Sequence, residues 1–324
     1  MPGSIPGSPT SSQHGAAARS TDRQDRDATA DRGRDAARFA PAPDAAEPRA
    51  IRAKSCPETA LTDRSFRFTH AITRRPGHSI TAGLRAVDTG TPDLAQMLVD
   101  HAEYVAALRA TGATVVELDP IEAFPDSVFV EDTALCLPEG AVVMRPGAPS
   151  RLGEAALMAP HLAALYAEVV QVSGPGFIEG GDILVTEREI LVGRSARTNA
   201  TGIAELTRLV APWGHKVHEV ITPPGVLHFK TDCSLLDAET VLATDRLAAS
   251  GCFDGYRVIP VATGEEAAAN TIRFNDLVLM PAGFPRTADR LAAAGYDLRQ
   301  IGNSECAKLD GGMSCLSLRF TPRA

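Results

Sequence analysis

The chain repeats one pattern of elements, and this internal repeat restricts its fold more than any other feature. Four segments have a short polar element followed by two apolar strands that a polar turn joins. They are 130–133 leading into 134–144, 179–182 into 183–192, 230–232 into 233–243, and 269–270 into 271–280. Internal repetition on this scale determines the architecture of a fold, so we predict a repeated α/β domain.

A fifth hairpin is divided between the two ends of the domain. Residues 311–320 supply one of its strands and residues 67–73 supply the other. Each hairpin is followed by a helical segment and a further strand, and these further strands are predicted at 115–118, 169–172, 217–221, 258–261 and 298–301. The unit of strand, strand, helix and strand therefore occurs five times, and pairing the last strand with the first closes a ring.

The clearest predicted helix spans residues 92–110, with Thr91 as its cap and Gly112 just beyond its end. Its expected apolar stripe consists of Leu94, Leu98, Val105 and Leu108.

Residues 1–64 have a composition unlike the rest of the chain. They are rich in Ala, Arg, Asp, Ser, Pro and Gly, with almost nothing large and apolar before Phe39. Such a segment buries too little surface to offset its ordering entropy, so we expect a disordered N-terminal extension. Residues 65–324 are predicted to form a single catalytic domain. The extension lacks the apolar region of a secretory signal, and no apolar run approaches the roughly 20 residues of a membrane-spanning helix.

Charge and cysteine usage limit the partners of the 324-residue chain. The formal net charge of −8 argues against nucleic acid or an anionic membrane as a partner and leaves room for a cationic small molecule. The six cysteines form no Cys-x-x-Cys pair, which indicates reduced thiols in the cytoplasm. The histidines and cysteines form no cluster with ligand spacing, so we expect no metal and no cofactor. A homodimer is compatible with the sequence.

The five polar elements should meet at the hub of the ring, where they bring chemically useful groups together. In chain order they offer Asp126, Glu131, Asp132, Glu179, Asp182, His228, Asp232, Asn270, Asp310 and Cys315. A single carboxylate at a strand end is more often a turn former, a lone histidine more often structural, and a lone cysteine more often inert. Recurrence at equivalent positions of the repeat favours a shared site.

Cys315 and His228 suggest nucleophilic catalysis at this hub. Gly311 and Gly312 form a turn that delivers Cys315 to the start of a strand, and His228 opens another strand. Acidic neighbours suppress thiolate formation, so a site that holds both a thiol and carboxylates suits a positively charged substrate. A guanidinium is such a substrate, because it is always charged and its nitrogens bind carboxylates.

These residues lie in stretches that resemble the guanidino-group-modifying, or pentein, superfamily, and within it the dimethylarginine dimethylaminohydrolase family. The stretches are 124–132, 145–151, 195–199, 280–283 and 310–315, and together the resemblance spans about 66–320. Gly180 and Pro149 depart from the family pattern and affect the shape of two loops. The resemblance implies a five-bladed, pseudo-symmetric α/β propeller.

The resemblance also implies roles for individual residues. Cys315 resembles the nucleophile and His228 the proton shuttle, while Glu179 resembles the carboxylate that holds both the histidine and the guanidinium. Asp132 matches a carboxylate that binds another guanidinium nitrogen. Further substrate contacts are expected from Arg151 and Arg197, which match a clamp for the α-carboxylate, and from Leu84, Asp126, Glu131 and Leu309.

The implied reaction is hydrolysis of N-methylated arginines to citrulline and a methylamine through a covalent cysteine intermediate. An arginine deiminase is an alternative, although that family has a longer chain with a helical insertion that is not evident here. An amidinotransferase fits less well. A non-catalytic binding protein of the same fold is a further alternative, but such a protein is expected to lack the cysteine, histidine and glutamate together.

Overall fold

The computed structural model of the protein describes residues 64–323. The extension predicted for residues 1–64 lies outside the described residues, apart from Arg64, and so does Cys56. None of the described helices is long and apolar enough to cross a membrane.

The described chain contains five three-stranded sheets. The first sheet is built from β1 (His70–Arg74), β2 (Thr114–Leu118) and a strand at the far end of the chain, and α1 (Leu94–Ala110) connects β1 to β2. The second contains β3 (Ala134–Cys136), β4 (Ala141–Val143) and β5 (Val169–Gln171), with α2 (Ala159–Ala163) before β5. The third contains β6 (Ile183–Val185), β7 (Ile190–Arg194) and β8 (Val217–Ile221), with α3 (Ala200–Val210) before β8.

The remaining sheets have the same order of elements. The fourth contains β9 (Cys233–Leu235), β10 (Thr240–Ala243) and β11 (Arg257–Pro260), with α4 (Asp245–Ala248) before β11. The fifth contains β12 (Ile272–Phe274), β13 (Leu277–Pro281) and β14 (Asp297–Ile301), with α5 (Pro285–Ala293) before β14. The short α6 (Ser304–Ala307) and β15 (Leu318–Phe320) follow.

In every sheet the middle strand pairs antiparallel with one neighbour and parallel with the other. The parallel partner is reached through the helix, as a parallel connection requires. The split hairpin is confirmed, because β15 pairs antiparallel with β1 and Phe320 lies opposite His70. All five predicted repeats of strand, strand, helix and strand are therefore present.

The apolar core consists of five clusters, and each cluster contains residues from two of the sheets. One cluster, for example, joins Ile72 and Phe320 of the first sheet to Val143 of the second. Another joins Ala71 of the first sheet to Phe274 of the fifth. A strand face that is apolar must be covered by another element, and here neighbouring sheets cover one another.

The start of α1 differs from the prediction. The cap is Asp93, whose Oδ1 accepts the N–H of Ala95 at 2.9 Å, so Pro92 lies before the helix and Thr91 does not cap it. The buried side of α1 includes Met97 and Tyr104, whereas Leu98 of the predicted stripe is 40% exposed. The predicted stop is confirmed, because Gly112 lies just beyond the helix with a φ of 88°.

Candidate active site

A single turn of 3-10 helix precedes the first strand of each hairpin, and we call these five segments the hub turns. They are Val130–Thr133, Gly180–Asp182, Phe229–Thr231, Glu266–Ala269 and Ser314–Leu316. Buried side-chain oxygens join one hub turn to the next by accepting backbone N–H groups. Asp132 accepts from Gly181 at 2.8 Å, Asp182 from Phe229 at 2.8 Å, and Asn270 from Ser314 at 2.9 Å. The polar repeat thus serves the fold as well as the site.

A cavity lies beside the hub turns, and we call it the catalytic pocket. Its walls include eight of the ten predicted site residues, namely Leu84, Asp126, Asp132, Arg151, Arg197, His228, Leu309 and Cys315. These residues come from widely separated parts of the sequence. The convergence of a thiol, an imidazole, carboxylates and arginines on one cavity marks it as the candidate active site.

His228 is held by Glu179, which lies behind it and does not line the pocket. The Nε2 atom of His228 lies 2.7 Å from Oε2 of Glu179, and Glu179 is fully buried. The other oxygen of Glu179 accepts the N–H groups of Gly147 and Ala148 at 2.9 and 3.1 Å. A carboxylate with these donors is fixed in position, so it orients the imidazole.

Charge strengthens the pairing of His228 with Glu179. Burial by itself would lower the pKa of His228, but the carboxylates of Asp132, Asp182 and Glu179 raise it to about 9. Burial opposes ionisation of Glu179, yet the hydrogen bond and the charge of His228 lower its pKa to about 2. The raised pKa of His228 and the lowered pKa of Glu179 both favour an imidazolium paired with a carboxylate. His228 is therefore protonated at neutral pH.

Two glycines, three and four residues before Cys315 in the chain, allow other side chains to pack closely against the backbone. A Cβ on Gly312 would lie 2.2 Å from Cγ of Asn270, and one on Gly311 would lie 2.4 Å from Cε1 of Phe129. The backbone N–H of Gly312 also points to the Cys315 Sγ at 3.5 Å. A larger residue would therefore not fit at either of the two glycine positions that the sequence analysis singled out.

The free protein disfavours the Cys315 thiolate. Burial, followed by the charges of Glu131 and Asp132, raises the pKa of Cys315 to about 12. The thiol is therefore protonated at neutral pH, and an incoming cation would favour the reactive thiolate.

This electrostatic setting predicts a preference of Cys315 for cationic alkylating agents. Chloroacetamidine carries a positive charge and chloroacetamide of similar shape does not. A charge within about 4–6 Å shifts a pKa by about 1–3 units. When the rate with Cys315 is divided by the rate of the same reagent with glutathione, chloroacetamidine should therefore be at least about tenfold faster than chloroacetamide. With the neutral reagent, the alkylation rate should continue to increase as the pH is raised above 9, because the pKa of Cys315 is raised and the thiol is still being ionised there.

The measurement is the rate of modification of the Cys315 peptide by mass spectrometry, with the half-buried Cys252 as an internal control. Equal normalised rates for the two reagents at Cys315 would contradict the electrostatic argument.

Arg151 is more constrained than a simple substrate clamp. Its guanidinium forms a bidentate pair with Glu154, at 2.9 and 2.7 Å, and its Nη1 donates to Asp132 at 2.5 Å. Its Nη2 also donates to the carbonyl of Phe129 at 2.9 Å. Most of the Arg151 donors are therefore engaged, and the residue fixes the carboxylate of Asp132 at the pocket wall.

Arg197 remains more available than Arg151. Its side chain is 21% exposed, and its one guanidinium hydrogen bond in the described part of the chain goes to Glu179 at 3.4 Å. On the same pocket wall, Asp126 Oδ1 accepts the N–H of Leu84 at 2.9 Å. The pocket therefore has a basic group in Arg197 and acidic groups in Asp126 and Asp132.

Glu131 was expected to contact substrate, but the structure does not bring it into the catalytic pocket. Its Oε1 accepts from Lys230 and from Arg319, each at 2.6 Å, and its Oε2 accepts from the Ser314 hydroxyl at 2.7 Å. The side chain lines a different cavity. Neighbouring residues of a tight turn point in different directions, so Asp132 enters the pocket while Glu131 turns away.

Asp132, Glu179 and His228 could be regarded as a metal site, because their ligand atoms lie within 4.8 Å of one another. The hydrogen bond between His228 and Glu179 joins two of these atoms, and a protonated imidazole has no lone pair for a metal. These three groups are therefore better explained as an acid–base unit.

Sequence reasoning missed several residues of this site. Phe129 and Leu227 also line the pocket, and Glu154 holds Arg151 from three residues further along the chain. Asp310 and Gly311, which the sequence placed at the hub without a contact to substrate, line the pocket as well. The Arg151–Glu154 spacing is that of neighbours on one helical face, which is the one local signal for this pair. Asp232 was expected at the hub, but its carboxylate binds Arg246 and Thr244 instead.

The chain is similar in sequence to enzymes that act on arginine and its derivatives. The arginine deiminase family model matches residues 98–275. The N(G),N(G)-dimethylarginine dimethylaminohydrolase of Pseudomonas aeruginosa is 38% identical over 254 residues, which cover 78% of this chain and 100% of the relative. The enzyme of the same name from Streptomyces coelicolor is 35% identical, covering 77% of this chain and 96% of the relative.

Solved structures agree with the sequence relatives. The Pseudomonas aeruginosa enzyme, as a serine-for-cysteine variant complexed with citrulline, matches with a TM-score of 0.77 over 79% of this chain and 100% of its own. The N-terminal domain of ArgZ, a cyanobacterial arginine dihydrolase, has a TM-score of 0.69 at 20% identity, covering 78% of this chain and 98% of its own, which shows a likeness of fold alone. The five-sheet arrangement is therefore the α/β pentein fold, and this chain belongs to the dimethylarginine dimethylaminohydrolase family of the pentein superfamily.

Proposed function

We propose that this protein hydrolyses N-omega-methylated arginines, both asymmetric dimethylarginine and monomethylarginine, to citrulline and dimethylamine or methylamine. The observation that carries the proposal is the convergence of Cys315, the His228–Glu179 pair and Asp132 on one pocket. The relatives that share 35–38% identity carry the name of this activity, and one of them was solved with citrulline.

The pocket is suited to hold both ends of a methylated arginine. Asp132 lies where it can bind a guanidinium nitrogen, and Arg197 can bind the α-carboxylate. Asp126, Leu84 and Leu309 line the same pocket, and in this proposal Asp126 and the nearby backbone bind the α-amino group. The substrate thereby brings its positive charge next to the Cys315 thiol, where it favours the thiolate.

When substrate binds, the Cys315 thiol loses its proton to solvent. In the first half-reaction the resulting thiolate attacks the guanidinium carbon and forms a C–S bond. His228, protonated at neutral pH, gives its proton to the departing dimethylamine as the C–N bond breaks. The product at this stage is an S-alkyl thiouronium on Cys315, and His228 is neutral.

In the second half-reaction the neutral His228 takes a proton from water, which attacks the thiouronium carbon. The C–S bond breaks, the thiolate leaves, and loss of the remaining hydroxyl proton to solvent gives citrulline. Glu179 keeps the imidazole in place through both steps. Water is the only co-reactant, so the proposed reaction needs no metal or organic cofactor.

An arginine deiminase activity is the second candidate, and the match to the arginine deiminase family model favours it. Both reactions use the same groups and differ in the amine that leaves. The space around the guanidinium nitrogen that carries the methyl groups decides between them.

An amine-release assay with asymmetric dimethylarginine, monomethylarginine and arginine separates these activities. We expect dimethylamine or methylamine from the methylated substrates, with kcat/KM at least about 100-fold above that for ammonia from arginine, since loss of apolar methyl contacts weakens binding of the transition state. Each amine is identified by mass spectrometry after derivatisation. Ammonia from arginine as the dominant product would overturn the proposed substrate class.

We also propose that the five sheets form the blades of a closed propeller. The pairing of β15 with β1 joins the two ends of the domain, and each of the five apolar clusters is shared by two sheets. We further propose that the protein acts in the cytoplasm, where its thiols stay reduced. The five cysteines in the described range 64–323 are all free, in agreement with that location.

A further inference from the structure

A second cavity shares no lining residue with the catalytic pocket. The first strand of each of the five hairpins contributes an apolar residue to its wall. These residues are Leu135, Ile183, Leu235, Ile272 and Leu318. A concave site with an apolar wall and a few polar groups is typical of small-molecule binding.

The charged groups of this cavity are strongly unbalanced, and we call it the basic cavity. Its lining includes four cationic side chains, Arg64, Lys230, Arg273 and Arg319, but only one carboxylate, that of Glu131. Arg64 is also paired with Glu187 outside the lining, so the excess of positive charge comes from the other three cations. The whole chain, in contrast, carries a formal net charge of −8. A local excess of positive charge in an acidic protein attracts an anion to this cavity.

The imbalance is sharpest at the buried end of the basic cavity. Glu131 Oε1 accepts from both Lys230 Nζ and Arg319 Nη2, each at 2.6 Å, so one negative charge faces two positive charges. Lys230 is 8% exposed. Among the described residues it has one hydrogen-bond partner, Glu131, which leaves two of its three N–H donors unused. Buried charges are normally paired and hydrogen-bonded, and this ammonium is incompletely so.

We propose that the basic cavity binds a small carboxylate that carries an unbranched apolar chain. The carboxylate accepts hydrogen bonds from the free donors of Lys230 and lies against Arg319. Its charge supplies the negative charge that the cavity lacks. The chain lies along the apolar residues of the five first strands. A strongly hydrated dianion such as phosphate fits less well, because the apolar wall cannot replace its water.

The site is distinct from the catalytic pocket although the two share the hub turns. Glu131 and Ser314 line the basic cavity, while their sequence neighbours Asp132 and Cys315 line the catalytic pocket. The hub turns therefore form the wall between the two cavities.

The test is calorimetric titration of the full-length protein with acetate, butanoate, hexanoate and hexan-1-ol. Affinity should rise about fourfold per methylene, which corresponds to about 0.8 kcal/mol for each buried CH₂. Hexan-1-ol should bind at least about tenfold more weakly than hexanoate, because it lacks the charge that pairs with Lys230. Equal affinity for hexanoate and hexan-1-ol, or no binding of hexanoate, would overturn the proposal.

Substitutions assign the binding to this cavity. Lys230→Met keeps the chain length but removes the charge, and it should weaken hexanoate binding at least about tenfold. The exposed Lys216→Met is the matched control and should bind normally. Arg197→Gln removes a cation from the catalytic pocket and should also leave hexanoate binding unchanged. Loss of binding in Arg197→Gln but not in Lys230→Met would overturn the assignment.

A measurement on the unmodified protein covers the case in which Lys230→Met does not fold. Crystals grown with 6-bromohexanoate should show anomalous density for bromine between the five first strands. Bromine in the catalytic pocket, or no bromine density, would contradict the proposal.

Discussion

Replacing Cys315 by serine is expected to lower kcat by about 10⁴-fold or more, since removal of a covalent nucleophile has effects of this order in other enzymes. A serine hydroxyl is a much weaker acid than a thiol, and the buried, acidic surroundings that already raise the pKa of Cys315 would disfavour an alkoxide further. The side chains that bind substrate remain in place. Cys315→Ser should therefore bind citrulline and the methylated substrate with little change.

Intact-protein mass spectrometry checks the chemical part of this prediction. The unmodified protein quenched during turnover should show a covalent adduct on Cys315, and Cys315→Ser should show none. The matched control is Cys252→Ser, because Cys252 is half-buried and lies outside the catalytic pocket. Near-normal turnover by Cys315→Ser would rule out this thiol as the nucleophile.

Replacing His228 by glutamine should lower kcat by about 10² to 10⁴-fold, the usual contribution of general acid–base catalysis. The loss should affect both half-reactions, because in the proposed mechanism the same imidazole protonates the amine and then deprotonates water. Glutamine can still donate a hydrogen bond towards Glu179, which limits the structural damage. A thermal melt of each variant verifies that it is folded.

The pH dependence gives a readout that a purely structural role for His228 would not produce. The pKa of His228 is raised to about 9, so the imidazole carries its proton below that pH and loses it above. We therefore expect kcat/KM of the unmodified protein to fall as the pH rises through about 9, and we expect this limb to be absent in His228→Gln.

A substrate with a better leaving group separates the two roles of His228. S-methyl-L-thiocitrulline releases a thiolate that does not need the proton from His228. With this substrate His228→Gln should form the Cys315 adduct readily and accumulate it, because the activation of water remains impaired.

The matched control for this series is His218→Gln, since His218 has a side chain that is 56% exposed and lies outside the pocket. It should retain normal activity and a normal pH profile. If His228→Gln turns over dimethylarginine at the rate of this control, His228 is not the proton shuttle.

The sequence was sufficient to predict the repeated elements of the fold. The strand predicted at 217–221 has the bounds of β8, and the split hairpin of β1 and β15 forms as expected. These features depend on local patterns, such as apolar alternation and polar turns, which a short stretch of sequence carries by itself. The start of α1 was less predictable, because Asp93 and Thr91 are both good caps and only the structure shows which of them accepts the N–H groups.

The sequence was also enough to predict which chemical groups meet at the hub, namely a thiol, an imidazole and several carboxylates. The direction in which each of these groups points depends on the folded structure. Asp132 and Glu131 are adjacent in the chain, yet one lines the catalytic pocket and the other lines the basic cavity. Glu131 finds its partners Lys230 and Arg319 roughly 100 and 190 residues away. The direction of a side chain in a single turn of helix depends on such distant partners, and no local pattern in the sequence records them.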